Sequence, residues 1–299
     1  SGAFMPPRVI GTTPTPGSTS VPTNAKVTMN FSDPMADDSG TYVLKNYVKL
    51  FTVSGTTETD VSLSAIDTVA LNTSKLSAVV ALKSAYNSGA YVASTRYRLK
   101  VLGGAKGTSN VLLAPPGQEN SVSYTLEFTT GTGGDTAVPT IVGSYPSNGD
   151  TGVQVNVGAV NVGFSKDMDP STVSTSTITL TVGSTAVNGT VDYRPLERMA
   201  YFLPRSVLNA NTAYTLTVST GVKGLNGVAL AAAVTKTFTT GSADSIVPAI
   251  SFMNADDFGI ALTFSEPMNA AKVTDTMNWA TSVLNPLAYN VIKYGSEGF

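Results

Sequence analysis

The sequence predicts an all-β protein built of β-sandwich domains in tandem, and three observations carry that prediction. Its 299 residues are rich in Ser, Thr and Val and only 13% charged, about half the charged fraction of an ordinary globular chain. Short runs with period-two alternation, such as Ala25–Phe31 (AKVTMNF) and Thr212–Val218 (TAYTLTV), are broken at regular intervals by Gly, Asn and Pro. That is the pattern of half-buried strands closed by turns. Blocks of sequence also recur in a fixed order, so each block reads as one structural unit. Length agrees, since about 150 residues per domain makes room for roughly two.

Three anchors define the repeat. The strings Phe31-Ser32-Asp33-Pro34-Met35, Phe164-Ser165-Lys166-Asp167-Met168 and Phe264-Ser265-Glu266-Pro267-Met268 share F-S-x-x-M, and each closes an alternating run on a polar turn. A second anchor, T-x-Y-x-L-x-V, occurs from Thr95 to Val101 and from Thr212 to Val218. The third is Phe128-Thr129-Thr130-Gly131, repeated as Phe238-Thr239-Thr240-Gly241, each followed by an acid and a proline: Asp135 with Pro139, then Asp244 with Pro248. Phe31 and Phe164 stand 133 residues apart but Phe128 and Phe238 only 110, so the first unit carries 23 extra residues as loop insertions. The units divide as 5–131, 136–241 and a partial third at 245–299.

The second unit shows the strand plan most cleanly. Alternation predicts strands at Thr140–Tyr145, Val153–Val155, Ala159–Phe164, Thr177–Val182, Thr190–Tyr193, Met199–Leu203, Ala213–Val218 and Thr235–Thr239. Turns at Asn148-Gly149, Gly183-Ser184, Asn188-Gly189 and Asn226-Gly227 supply residues that tolerate positive φ. Seven or eight strands in about 100 residues make an immunoglobulin-like sandwich. Tyr97 and Tyr214 fit a tyrosine corner, a buried ring at a strand start whose hydroxyl ties down a neighbouring loop. They are assigned no chemistry.

The absences exclude function classes. With no His and no Cys there is no imidazole base, serine–histidine triad, thiolate nucleophile, zinc finger or iron–sulfur cluster. Eighteen basic and 20 acidic residues without a run of either give no electrostatic footprint for nucleic acid or an anionic membrane surface. The longest small-apolar run, Val228–Val234, is far short of the ~18 residues of a membrane span, so no membrane insertion is expected. The start SGAFMPP lacks a signal region, which suggests a mature form or a segment whose signal and anchor lie elsewhere. Adjacent carboxylates such as Asp37-Asp38 point to opposite sides of an extended segment and cannot flank one substrate. No enzyme is expected.

The opening P-x-I-x-x-x-x-P with a following G-x-x-x-V (Pro139 to Val153), the F-S-x-x-M turn, T-x-Y-x-L-x-V and the closing F-T-T-G resemble the bacterial Ig-like domains of surface-layer proteins, adhesins and accessory modules of secreted enzymes. The resemblance is strong in the second unit, fair in the first and partial in the third. It implies an extracellular, cell-surface protein of tandem structural or adhesive modules that self-assembles or binds other surface-layer subunits, often stabilised by calcium.

Calcium takes six to eight oxygens, which loops rich in Asp, Asn, Ser and Thr can supply. The candidate ligands at the unit junctions are Asp33, Asp135, Asp167, Asp169, Asp244 and Glu266. Each also has a plain reading: Asp169 before Pro170 is an N-cap starting a short turn through Val173, with Asn269 at the same place in the third unit, and Asp135 and Asp244 solvate linkers. The triplets Asn30-Phe31-Ser32, Asn72-Thr73-Ser74 and Asn188-Gly189-Thr190 match the glycosylation acceptor, a pattern that chance supplies in so hydroxyl-rich a chain.

The leading expectation for function is a structural module of a bacterial surface layer or surface fibre, assembling through its sandwiches. The alternative is an adhesin or carbohydrate-binding module for cell-wall or extracellular glycan, with Tyr42, Tyr47, Tyr86 and Tyr91 of the first unit stacking on sugar rings. The third unit lacks its tyrosine and F-T-T-G strands within the chain. It is either a segment of a longer domain or a half-sandwich completed by a donated strand, with Trp279, Leu284, Leu287, Tyr289, Val291 and Tyr294 facing the partner.

Overall fold

The structure is a computed structural model that describes residues 5–38, 40–243, 250–255 and 260–264. The first sandwich is built from β1 (Val9–Thr13), β2 (Ser18–Val21), β3 (Val27–Phe31), β4 (Val48–Ser54), β5 (Thr57–Asp60), β6 (Ile66–Leu71), β7 (Ser77–Leu82), β8 (Arg96–Leu102) and β9 (Val122–Thr130). The second contains β10 (Ile141–Tyr145), β11 (Asp150–Val153), β12 (Val160–Phe164), β13 (Ile178–Val182), β14 (Thr185–Ala186), β15 (Gly189–Arg194), β16 (Met199–Pro204), β17 (Ala213–Val218) and β18 (Val234–Thr240). Each pairs a four-stranded sheet, β1-β3-β7-β6 or β10-β12-β16-β15, with a five-stranded one, β2-β9-β8-β4-β5 or β11-β18-β17-β13-β14. The fold is therefore all-β, two immunoglobulin-like sandwiches in tandem. The strand expectations for the second unit hold to within a few residues, and the pair Thr185–Ala186 is an addition too short for alternation to show. Among the described residues no helix is long and apolar enough to cross a membrane.

Each recurrent string has a mechanical job. The Phe and Met of F-S-x-x-M are core residues: Phe31, Met35, Phe164 and Met168 are all buried. The serine between them clamps the start of the domain, since Ser32 Oγ accepts the Arg8 N–H at 3.0 Å and Ser165 Oγ accepts the Thr140 N–H at 2.9 Å. In T-x-Y-x-L-x-V the tyrosine is a corner: Tyr97 Oη accepts the Val92 N–H at 3.0 Å and Tyr214 Oη the Asn209 N–H at 2.7 Å. The last Thr of F-T-T closes the same loop, Thr130 Oγ1 donating to the Val92 carbonyl and Thr240 Oγ1 to that of Asn209, both at 2.6 Å. Buried hydroxyls and loop N–H groups satisfy one another here, as burial requires.

One expected turn works differently. Gly227 takes positive φ (81°) after Asn226, but Gly189 lies inside β15. A Cβ there would sit 2.5 Å from the Leu203 carbonyl and 2.7 Å from the Phe202 ring. This glycine is needed for close approach between strands and not for backbone conformation.

The start of the third unit is described. β19 (Ile250–Ala255) and β20 (Ile260–Phe264) pair antiparallel, with Ile250 opposite Phe264 and a register shift between Ile250 and Phe252. Val9 opposite Phe31 and Ile141 opposite Phe164 show the same pairing, each with the shift one step on, at Gly11 and Gly143. Three units thus share one bulged antiparallel pairing, which the first two make across an intervening strand of the other sheet and the third makes directly. The residues proposed to meet a donated strand, Trp279 to Tyr294, lie outside the described residues.

Candidate functional site: the junction between the two sandwiches

The second sandwich lies against the outer face of the strands β3 and β7 of the first, and three polar clusters hold it there. The first cluster clamps the linker. Asn24, in the turn between β2 and β3, accepts the Asp135 N–H at 2.8 Å through Oδ1. Its Nδ2 donates to the Asp135 carbonyl at 2.8 Å and to the Asn226 carbonyl of the second sandwich at 2.9 Å. Asn226 Nδ2 returns to the linker, donating to the Ala137 carbonyl at 2.8 Å and to Asp135 Oδ2 at 3.1 Å. Lys166 pairs with Asp135 Oδ2 at 2.5 Å. Lys166, then the Ala137 N–H, hold the Asp135 carboxyl below the usual carboxylate range, against a small opposing effect of burial.

The second cluster is an ion pair across the junction. The Lys26 ammonium, at the entrance to β3, contacts Oδ2 of Asp169, whose side chain is 1% exposed. The Lys26 N–H donates to the Leu225 carbonyl at 2.9 Å. Asp169 is also the cap expected of it: Oδ1 accepts the Ser171 N–H at 3.0 Å at the head of the 3-10 turn Pro170–Thr172. A carboxylate so buried requires a partner for every lone pair, and the cap and the lysine divide the two oxygens between them.

The third cluster lies at the far end of the same sheet. Asn72, in the turn between β6 and β7, donates to Asp192 Oδ1 at 3.0 Å and to the Tyr193 carbonyl at 2.9 Å. Ser74 N–H donates to the same carboxylate oxygen at 3.0 Å, and Thr73 Oγ1 to the Val191 carbonyl at 2.6 Å. The Asn72-Thr73-Ser74 triplet is thus a domain contact whose asparagine is buried, which is the wrong place for a glycan.

Between the clusters the outer face of the first sheet is covered along β3 and the start of β7. Thr28 and Asn30 of β3 and Ser77 and Val79 of β7 are buried although they point away from their own core. β6 and β7 pack against the 3-10 turn Pro170–Thr172 of the second sandwich. Every residue of β3 is buried in consequence.

Of the acids expected to bind calcium, Asp135, Asp167 and Asp169 lie in the second sandwich's junction end, but each faces a cation. Arg198 grips Asp167 with two bonds of 2.9 and 3.1 Å, while Lys166 and Lys26 take Asp135 and Asp169. Asp33 is exposed and accepts from Ser32 Oγ at 2.5 Å. Among the described residues no three acidic side chains converge, so these residues do not fit a calcium cage. Asp244 and Glu266 lie outside the described residues. Sequence reasoning missed Asn24, Lys26, Asn72 and Asn226. Only the last two carried a signal, one as a glycosylation triplet and one as a turn, and neither pointed to a junction.

The four tyrosines considered for glycan stacking are engaged in packing. Tyr91 is buried edge-on against Tyr97 at 4.9 Å, and Tyr86 shares a hydroxyl contact of 3.0 Å with Tyr97. Tyr42 and Tyr47 stack on each other at 5.2 Å, with Tyr42 Oη donating to the Gly104 carbonyl and accepting the Lys106 N–H. Burial pushes the Tyr42 and Tyr91 hydroxyls up, so both stay neutral.

Comparison with known proteins follows the same two units. A family model described as a bacterial Ig-like domain matches residues 5–130 and again 135–240. No curated protein matches the chain. Among solved structures, the chain is similar to surface layer protein SbsC, domains 1–6, at 13% identity over 85% of this chain and 27% of that one, TM-score 0.32. It is also similar to the S-layer protein rSbsC(31-844), at 12% over 87% and 32%, TM-score 0.34. A third is native alpha-2-macroglobulin from Escherichia coli, at 22% over 38% and 34%, TM-score 0.28. The chain spans about a third or less of the length of each of these.

Proposed function

The chain belongs to the bacterial Ig-like domain family, and from that premise we propose that it is a structural module of a bacterial surface layer or surface fibre. The observation that carries this reading is the junction. Two sandwiches joined by a bare linker would swivel, whereas here the linker backbone is clamped by Asn24 and Asn226, and the outer face of the central strand β3 is covered. Inter-domain contacts are commonly modest and permit relative motion. An ion pair to a buried carboxylate and a covered central strand instead set one angle between neighbouring domains, which is what a lattice or fibre subunit requires. Specific buried polar pairs favour a single arrangement over alternatives of similar apolar burial.

In this reading the protein works outside the cell, on the surface, and is not an enzyme. Its partners are copies of itself or other surface-layer subunits. The glycan-binding alternative takes second place because Tyr42, Tyr47, Tyr86 and Tyr91 are all occupied by protein neighbours. Electron microscopy of the purified chain tests assembly: ordered sheets or filaments are expected as concentration rises. Discrete monomers at every concentration, together with a positive glycan array, would overturn the structural reading in favour of the adhesive one.

A further inference from the structure

We propose that the outer face of the second four-stranded sheet, β10-β12-β16-β15, is the docking site of the third repeat unit, from Ile250 onward, in the manner in which the first sheet receives the second sandwich. Register places the two faces in correspondence. Val27 opposite Val80 matches Val160 opposite Phe202, so Thr28, Asn30, Ser77 and Val79 of the first sheet become Asn161, Gly163, Met199 and Tyr201 of the second. The former four are buried beneath the second sandwich; the latter four are only half-buried.

Three further observations name the occupant. The third unit pairs its first strand with its F-S-x-x-M strand in the register of the first two, Ile250 opposite Phe264, with the same bulge one step on, although it joins the two strands directly where the first two units insert β2 or β11. The chain between the closing strand and that pairing has nearly the same length at both junctions, from Thr130 to Ile141 and from Thr240 to Ile250, a difference of one residue. A linker of matched length permits matched placement.

The junction residues also change in step. In the turn after the parallel strand, Ala25 N–H donates to the Pro22 carbonyl and Val157 N–H to that of Gln154, which puts Asn156 where Asn24 clamps the first linker. At the ion pair, both members differ together: Lys26, just before β3, corresponds to Ala159, just before β12, and Asp169, just after Met168, corresponds to Asn269, just after Met268. Asparagine at 269 is a residue type that can cap but carries no charge, and alanine at 159 carries no ammonium. A carboxylate without Lys26, or an ammonium without Asp169, would be costly in a covered site. Loss of both at once is what a shared contact predicts, and unrelated surfaces have no reason to show it. This inference is independent of the surface-layer role and stands or falls alone.

The full chain contains no cysteine, so introduced pairs report without background. Ala159→Cys with Asn269→Cys, treated with a short bismaleimide, is expected to cross-link within one chain at a yield close to that of the control Lys26→Cys with Asp169→Cys. Cross-linking of the control alone, or cross-linking of the first pair only between chains, would overturn the proposal. A second measurement restores the charges: Ala159→Lys and Asn269→Asp are each expected to lower the melting temperature of the full chain, and the double variant to recover most of the loss. Strictly additive losses would also overturn it.

Discussion

In the first sandwich the central strand β3 is buried on both faces; its counterpart β12 in the second is buried on one face and half-exposed on the other. Both sheets descend from one sequence plan, with the same bulge, the same F-S-x-x-M turn and the same tyrosine corner. Their cores also differ. Tyr91, Tyr97 and Phe128 form a mutually packed trio in the first, where the second has only Tyr214 stacked on Phe238 at 5.4 Å in the equivalent place. The comparison teaches that the repeat specifies a strand plan and a corner, while each copy's neighbours and insertions decide what is buried around them.

The largest effect should come from breaking the two aromatic clusters. Phe128→Ala and Phe238→Ala are each expected to cost about 3–5 kcal/mol. The first should be the worse, because it strands two tyrosine rings where the second strands one; urea melts of the two variants would show the order. Val79→Asp should cost about 3 kcal/mol or more by placing an unpaired charge in the covered junction, whereas Ile10→Asp, at an exposed position on the edge strand of the same sheet, should leave the melt nearly unchanged. Equal losses for the two would break the distinction between the covered and open parts of that sheet.

Smaller effects sharpen it. Lys26→Met removes the partner of a buried carboxylate and is expected to loosen the junction by roughly 1–3 kcal/mol, read as faster proteolysis of the 131–140 linker. Adding Asp169→Asn should recover part of that loss, since the pair of changes reproduces the uncharged combination at 159 and 269. Tyr214→Phe should cost about 1 kcal/mol through the lost Asn209 bond, and Tyr97→Phe somewhat more because its hydroxyl also meets Tyr86. The mildest effect is that of pH. Asp135 has its carboxyl held low in the folded junction, so its contribution is fully present above the ordinary carboxylate range and is lost as pH falls through the lowered value. Small-angle scattering should show the two sandwiches moving apart only in acid, and Lys166→Met should flatten that dependence.

Much of the fold was legible because it is written locally. Alternation located β12, β13, β16 and β17 to within a residue, and Asp169-Pro170 announced a capped turn that exists. The anchors FSxxM, TxYxLxV and FTTG were legible as repeats, and each proves to be a core plug, a loop tie or a clamp. The junction was not legible. Asn24 and Asn226 are 202 residues apart, as are the ends of no local pattern, and Asn24 contacts the linker only through backbone groups that any residue would offer. Asp135, Asp167 and Asp169 were recognised as acids at a junction, but the cations that occupy them, Lys166, Arg198 and Lys26, come from a different strand end or the other sandwich.

By itself, then, the sequence determined the all-β class, the repeat and its internal supports, because strand period, turn chemistry and the tyrosine corner act over a few residues. Only the tertiary structure decided that β3 is dry on both faces, that Asp169 answers Lys26 and that a glycosylation-like triplet is a docking turn. Those features depend on where one folded surface lies against another, and side-chain spacing along a single strand carries no information about what will cover its outer face.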